Sequence, residues 1–263
     1  MADATHLIDI VFPGDTNHHG TLFGGVGLAH MDKVAFIAAT RHAHRPIVTA
    51  SCERIDFSAP ARLGEIVEFA GRVVRVGRRS LGVEVTMVAE AVAGERRLCS
   101  RAVFNMVAVA DGAAASPPPP LPSMADAPAA SPLRMVEMVF PEWTSHYGSL
   151  YGGHALAAMS KAAFICATRR CRKAVVLASA QRVDFTSQIQ AGEIIELAPR
   201  IVATGRCSMS VEVELWAESL LSGERRACGY GSFVMVAVDD GHRPVPVTAT
   251  ASLWPFTPGA TRC

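Results

Sequence analysis

The sequence predicts an α+β chain made of two copies of one domain, each a long buried helix wrapped by an antiparallel sheet. Three observations predict it: a repeat at nearly constant spacing, a run of helix formers in each copy, and a set of alternating segments after each run. Gly20-Thr-Leu-Phe-Gly-Gly25 recurs as Gly148-Ser-Leu-Tyr-Gly-Gly153, a displacement of 128 residues (153 minus 25). The same displacement carries Lys33-Val-Ala-Phe-Ile37 onto Lys161-Ala-Ala-Phe-Ile165, Arg54-Ile-Asp-Phe57 onto Arg182-Val-Asp-Phe185, and Gly64-Glu65 onto Gly192-Glu193. After one added residue near Ser222 the displacement becomes 129, and Gly94-Glu-Arg-Arg97 meets Gly223-Glu-Arg-Arg226.

Taken in order through the first copy, residues 7–12 read as a short strand, ended by the turn chemistry of Pro13-Gly14-Asp15. Residues 24–43 read as a helix, with Val26, Leu28, Met31, Val34, Phe36 and Ile37 distributed all round its axis, the mark of a buried helix. Residues 48–57, 66–76, 81–91 and 98–109 then alternate apolar with polar, as strands with one face on a core do. One strand, one helix and four strands fit a sheet wrapped round a single helix, the hotdog arrangement, here a tandem (double) hotdog. The domains are expected at 1–110 and 132–242. Between them, 111–131 is an Ala/Pro-rich linker containing Pro117-Pro-Pro-Pro120, and 243–263 is a tail without counterpart in the first copy.

Composition narrows the function. Half of the 263 residues are apolar and 19% are charged, enough to bury a core. A net charge of +1 gives no footprint for nucleic acid or for an acidic membrane surface. The seven cysteines are odd in number and form no Cys-x-x-Cys pair, so neither a disulfide framework nor a zinc ribbon is indicated. The first residues lack a signal-peptide pattern and no run reaches the length of a membrane span, so a soluble cytoplasmic chain with reduced thiols is expected.

Asp15-Thr-Asn-His-His-Gly-Thr-Leu-Phe-Gly-Gly25, with Asp32 seven residues further on, then Asp56-Phe57-x-x-Pro60, Gly64-Glu65 and Gly77-Arg-Arg-Ser80, resembles the acyl-CoA thioesterase branch of the hotdog superfamily. The layout resembles the double-hotdog acyl-CoA hydrolases of the cytosol. The resemblance implies hydrolysis of acyl-CoA to a carboxylic acid and CoA, with no separate cofactor because CoA is part of the substrate, and three chains joined as a six-domain particle. It implies Asp32 as general base or nucleophile and Asn17 as the group that orients water or thioester from an opposing domain.

The residues bear this out chemically. A thioester carbonyl under attack needs donors for its oxyanion, and Gly24, Gly25, Gly152 and Gly153 open the two helices, whose N-termini present free N–H groups. A carboxylate within an apolar helix is costly unless partnered or used, which singles out Asp32. Seven residues put it roughly 10 Å along the axis from Gly25, too far to serve its own helix N-terminus. The site is therefore expected to be shared, with the two helices antiparallel, Asp32 facing Gly152-Gly153 and position 160 facing Gly24-Gly25. The second copy departs from the pattern, because Asn17 aligns with Ser145 and Asp32 with Ser160. One site then combines Asp32 with Ser145, the other Asn17 with Ser160, and the first ranks higher because serine cannot replace a carboxylate as base.

His18 and His146 read as loop histidines rather than bases, and no metal site is indicated. Arg78 and Arg79 at the Gly77 turn, with Arg206 in the second copy, are candidates for the CoA phosphates. Two rival functions stay open: a non-catalytic acyl-CoA or lipid binder, suggested by the two serines, and a hydratase or dehydratase using His18 or His146.

Overall fold

In each copy a 20-residue helix, α1 (Gly24–Ala43) or α2 (Gly152–Cys171), lies on a curved antiparallel sheet, as the alternation and the helix run predict. The computed structural model describes residues 4–53, 55–109, 118–120 and 133–247. Most of the linker, the tail beyond 247 and Arg54 lie outside the described residues. The first sheet contains β1 (Thr5–Ile10), β2 (Ile47–Cys52), β3 (Asp56–Phe57), β4 (Ile66–Val76), β5 (Ser80–Glu90) and β6 (Arg96–Ala108), in the order β1-β4-β5-β6-β2, with β3 also on β6. The second contains β7 (Met135–Met138), β8 (Ala174–Phe185), β9 (Ile194–Thr204), β10 (Ser208–Glu218) and β11 (Arg225–Val238), in the order β7-β9-β10-β11-β8. The segment read as one strand over 48–57 is two short strands in the first copy, whereas its counterpart β8 is continuous. The helix sits close to its sheet: a Cβ at Gly71 would lie 2.5 Å from Val34 Cγ1.

The copies meet at β1 and β7, the first strands of their sheets. Ile8 and Ile10 of β1 join the core of the second copy, and Ile37 of α1 packs with Val136, Ile194 and Leu220. Charged contacts around this seam repeat with a pseudo-two-fold axis. Lys33 donates to Glu137 and Lys161 to Asp9, both at 2.8 Å. Arg41 pairs with Glu218 at 2.5 Å, and its counterpart Arg169 pairs with Glu90 at 3.0 Å and Glu68 at 2.7 Å. Glu90 is 1% exposed and also meets Arg96 and Arg172, so its charge is compensated from three sides. Burial opposes ionisation of Glu68, yet the hydrogen bond with His6 and the charges of Arg169 and Arg96 hold its carboxyl down to about 2.

This seam corrects one expectation. The helix is not apolar and buried on every side along its whole length. Val34 and Ala35 are inaccessible against the helix's own sheet and Ile37 against the second copy, while Leu28 and Ala29 in the N-terminal half are exposed. The start of the tail docks on the second copy, where Val245 and Val247 pack against the core. Pro119 of the linker accepts a hydrogen bond from His42 Nε2 at 2.7 Å.

Candidate active site

The repeated loop before each helix is built by short-range hydrogen bonds. In the first copy Gly20 N–H donates to the Asn17 carbonyl at 3.0 Å, and Gly20 takes a φ of 70°, a left-handed value that favours glycine. Asn17 Oδ1 accepts from the N–H groups of His19 and Thr21 at 2.9 and 3.3 Å, and its Nδ2 donates to Thr21 Oγ1 at 3.0 Å. Asn17 thus staples the loop. Ser145 occupies the same place with a single bond, accepting from Tyr147 N–H at 3.3 Å.

The loop delivers the chain to helices without a side-chain cap: Phe23 and Tyr151 precede them, and neither supplies one. The first N–H groups, at Gly24-Gly25 and Gly152-Gly153, are therefore open to a ligand. Glycine is also required by packing, since a Cβ at Gly25 would meet the Phe23 ring at 2.6 Å, and one at Gly153 the Tyr151 ring at 2.7 Å.

Beside the α1 N-terminus is a cavity of about 360 Å³, lined by Asn17, Thr21, Leu22, Gly24, Phe57, Ser58, Ala59, Pro60, Ala61 and Met87. Its wall is clamped by two of the repeated motifs. Glu65 forms an ion pair with Arg97 and accepts from Arg62 N–H at 2.7 Å, while Arg97 also donates to the Pro60 carbonyl at 2.7 Å. In the second copy Arg226 joins Glu193 to the Gln188 carbonyl in the same way. There Ile189, 4% exposed, stands where the cavity-lining Ala61 does.

Asp32 is partly buried on α1, and its Oδ1 accepts a hydrogen bond from Thr49 Oγ1 at 2.7 Å. Thr49 was not singled out by the sequence reading. The signal available was its loss in the second copy, where Leu177 replaces it. Ser160, at the position of Asp32, spends its hydroxyl on the Ala157 carbonyl of its own helix at 2.9 Å.

Asp32 makes its hydrogen bond to Thr49 of its own copy. Thr49 lies on β2, the opposite edge of the sheet from the seam at β1, so Asp32 is turned away from the second copy. Its neighbour Lys33 reaches across instead, to Glu137 and over the rings of Phe140 and Trp143. The reason is helical geometry: adjacent residues project about 100° apart, so only one of the two can face the seam.

Arg78, Arg79 and Arg206 are exposed at hairpin tips. The Arg78-Arg79 tip adjoins the start of β2, since the Arg79 carbonyl accepts from Ala108, the partner of Ile47. Seven residues of β5 separate Ser80 from Met87, roughly 23 Å, so this tip does not rim the cavity of its own copy. His18 and His146 lie against His19 and Tyr147 with tilted rings, in exposed loops outside the cavity. Among the described residues there is no cluster of metal-ligating side chains, the six described cysteines are free, and no helix is long and apolar enough to cross a membrane.

Open N–H groups at a helix N-terminus, a loop amide beside them and a carboxylate on the same helix are the kinds of group that thioester hydrolysis needs. The chain belongs to the thioesterase superfamily, whose family model matches residues 19–93 and 147–223, once in each copy. A solved acyl-CoA hydrolase from Agrobacterium tumefaciens is 53% identical and superposes with a TM-score of 0.85, covering 93% of this chain and 97% of its own. The cytosolic acyl coenzyme A thioester hydrolase of Rattus norvegicus is 23% identical over 90% of this chain and 75% of its own length. An acyl-CoA thioester hydrolase of Bacillus subtilis, itself uncharacterized, is 40% identical over 38% of this chain and 58% of its own.

Proposed function

We propose that the chain is an acyl-CoA thioester hydrolase whose chemistry is confined to the first-copy fold. The observation that carries this reading is the placing of Asn17, the uncapped α1 N-terminus and an apolar cavity side by side, with Asp32 oriented by Thr49 on the same copy. The acyl chain enters the cavity between Leu22, Phe57 and Met87. The thioester oxygen accepts from the N–H groups of Gly24 and Gly25, where the helix dipole stabilises the developing negative charge.

Asp32, supplied by an opposing copy of the fold, takes a proton from water as the water oxygen bonds to the carbonyl carbon. Thr49 engages Oδ1 and leaves Oδ2 for that proton. Collapse of the tetrahedral intermediate breaks the C–S bond and releases CoA as a thiolate, whose conjugate thiol, with a pKa of about 8.5, needs little acid assistance. The carboxylic acid is the other product, and no separate cofactor enters. We assign Arg78, Arg79 and Arg206 to the CoA phosphates on the strength of their exposure at hairpin tips, and we place the reaction in the cytosol.

The test is release of free thiol from acyl-CoA esters of increasing chain length. The reading predicts turnover by the wild-type chain and loss with Asp32→Ala. Binding of acyl-CoA without thiol release would overturn it in favour of a carrier.

A further inference from the structure

We propose that Thr21 is the positioning residue that aims Asn17: its hydroxyl takes one of the two Nδ2 protons and leaves the other as the only unspent group of that amide, so that Asn17 meets the thioester as a donor and not as an acceptor. This rests on the hydrolase reading above and concerns the same site.

The first ground is the satisfaction of the amide. A side-chain amide has two acceptor sites on its oxygen and two protons on its nitrogen. Asn17 Oδ1 accepts from the N–H groups of His19 and Thr21 and lies 3.3 Å from the Thr21 hydroxyl, so its acceptor capacity is spent inside the loop. Those two backbone donors also fix which way the amide faces, because a turned amide would set Nδ2 against them. Nδ2 donates to Thr21 Oγ1 at 3.0 Å. Asn17 lines the cavity beside the α1 N-terminus, and the second Nδ2 proton is the one group it has left for a ligand there. An amide that only donates suits the carbonyl oxygen of a thioester, which only accepts.

The second ground is that Thr21 is held from behind. It forms an antiparallel bridge with Arg62, and Leu22 N–H donates to the Ala61 carbonyl at 2.8 Å. Arg62 N–H is held in turn by Glu65, the partner of Arg97. Branching at Cβ restricts χ1, so a fixed backbone fixes the hydroxyl as well.

The third ground is that the turn does not need the pair. In the second copy Ser145 and Ser149 replace Asn17 and Thr21 together. The loop closes all the same. Ser145 N–H donates to the Ser149 carbonyl at 2.8 Å and Gly148 N–H to the Ser145 carbonyl at 2.9 Å, against 2.9 and 3.0 Å for the matching bonds of the first copy. Ser149 also keeps its bridge, to Gln190. The amide and its hydroxyl thus occur together in the copy that has the open cavity and Asp32, where the fold alone does not call for them.

Thiol release is measured for Thr21→Val and Thr21→Ser, each alone and in the Asn17→Ala chain. Valine keeps the shape of threonine and loses the hydroxyl. Thr21→Val alone is expected to lower kcat about fivefold, the worth of one hydrogen bond, at unchanged KM, and Thr21→Ser to recover most of that loss. In the Asn17→Ala chain Thr21→Val is expected to change nothing further, since it acts through the amide. Equal loss in both backgrounds, or a rise in KM at unchanged kcat, overturns the proposal. NMR of the Asn17 side-chain amide, assigned by its absence from Asn17→Ala, reads the same arrangement without turnover. One Nδ2 proton resonance is expected to shift in Thr21→Val, and the other on saturation with a 2-oxoalkyl thioether of CoA, which keeps the carbonyl and cannot be hydrolysed. A Thr21→Val spectrum with both resonances unmoved overturns the proposal. If the wild type releases no thiol, the hydrolase reading fails by itself, while the Thr21→Val spectrum still decides whether Thr21 holds the amide.

Discussion

The two copies share their hydrogen-bonding scaffold and differ where chemistry would take place. The Glu65–Arg97 clamp is matched by Glu193–Arg226, Arg41 by Arg169, and the tight turn at Gly20 by that at Gly148. Asn17, Asp32, Thr49 and Ala61 are replaced at the matching positions by Ser145, Ser160, Leu177 and Ile189. Arg41 and Arg169 are held in both halves because each half forms one side of a shared seam, while the clamp and the tight turn shape the loop and wall before each helix. The site positions are free to diverge because the seam leaves them at the far edges of the sheets. The second copy thus serves as a platform that packs on Ile37 and pairs with Arg41 of α1.

The comparison can be broken first at the carboxylate. Asp32→Asn is expected to lower kcat by about 10²–10⁴, the usual worth of a general base, while Ser160→Ala leaves it unchanged. Thiol-release assays on the two variants check this.

The seam is next. Arg41→Ala strands Glu218 beside Glu196 and should cost about 3–5 kcal/mol in denaturant unfolding. Arg169→Ala should cost less, because Glu90 keeps Arg96 and Arg172. Glu68 adds a pH dependence. Its carboxyl is held near 2, below the ordinary 4.5, so its stabilisation is full above about 4.5 and is lost as pH falls towards 2. The difference corresponds to about 3 kcal/mol, and melting curves of Glu68→Gln should lack this acid-side slope.

A smaller effect sharpens the comparison at the cavity. Ala61→Ile imports the second copy's residue and should cut kcat/KM for longer acyl chains about tenfold, as overpacking of 1–3 kcal/mol would. The reciprocal Ile189→Ala should cost stability, about 2–5 kcal/mol, without altering the rate. Smallest is Thr49→Val, expected to lower kcat several-fold in the same thiol-release assay, since Asp32 keeps its place but loses an orienting bond worth about 1 kcal/mol.

Much of this architecture was legible in the chain. The repeat, both helices and the order of strands follow from periodicity, and the loop asparagine and helix carboxylate from residue type in context. The location of the seam did not follow. It is formed by β1, β7 and side chains of the two helices, among them Ile37, Arg41 and Arg169. A signal was present: Arg41, Glu68 and Glu90 recur as Arg169, Glu196 and Glu218 inside otherwise apolar elements, and charges repeated in buried positions mark a surface where the copies compensate each other. Thr49 was not legible because its role depends on which face of β2 meets the helix, and alternation alone does not assign that face.

The central claim is that the first-copy fold holds all of the chemistry. Thiol release from one acyl-CoA ester by the Ser145→Ala, Ser160→Ala double variant, beside Asp32→Asn, tests it most directly. The account predicts an unchanged rate for the double variant and near-complete loss for Asp32→Asn. Loss in the double variant comparable to that in Asp32→Asn would contradict it and return the second copy to the active site.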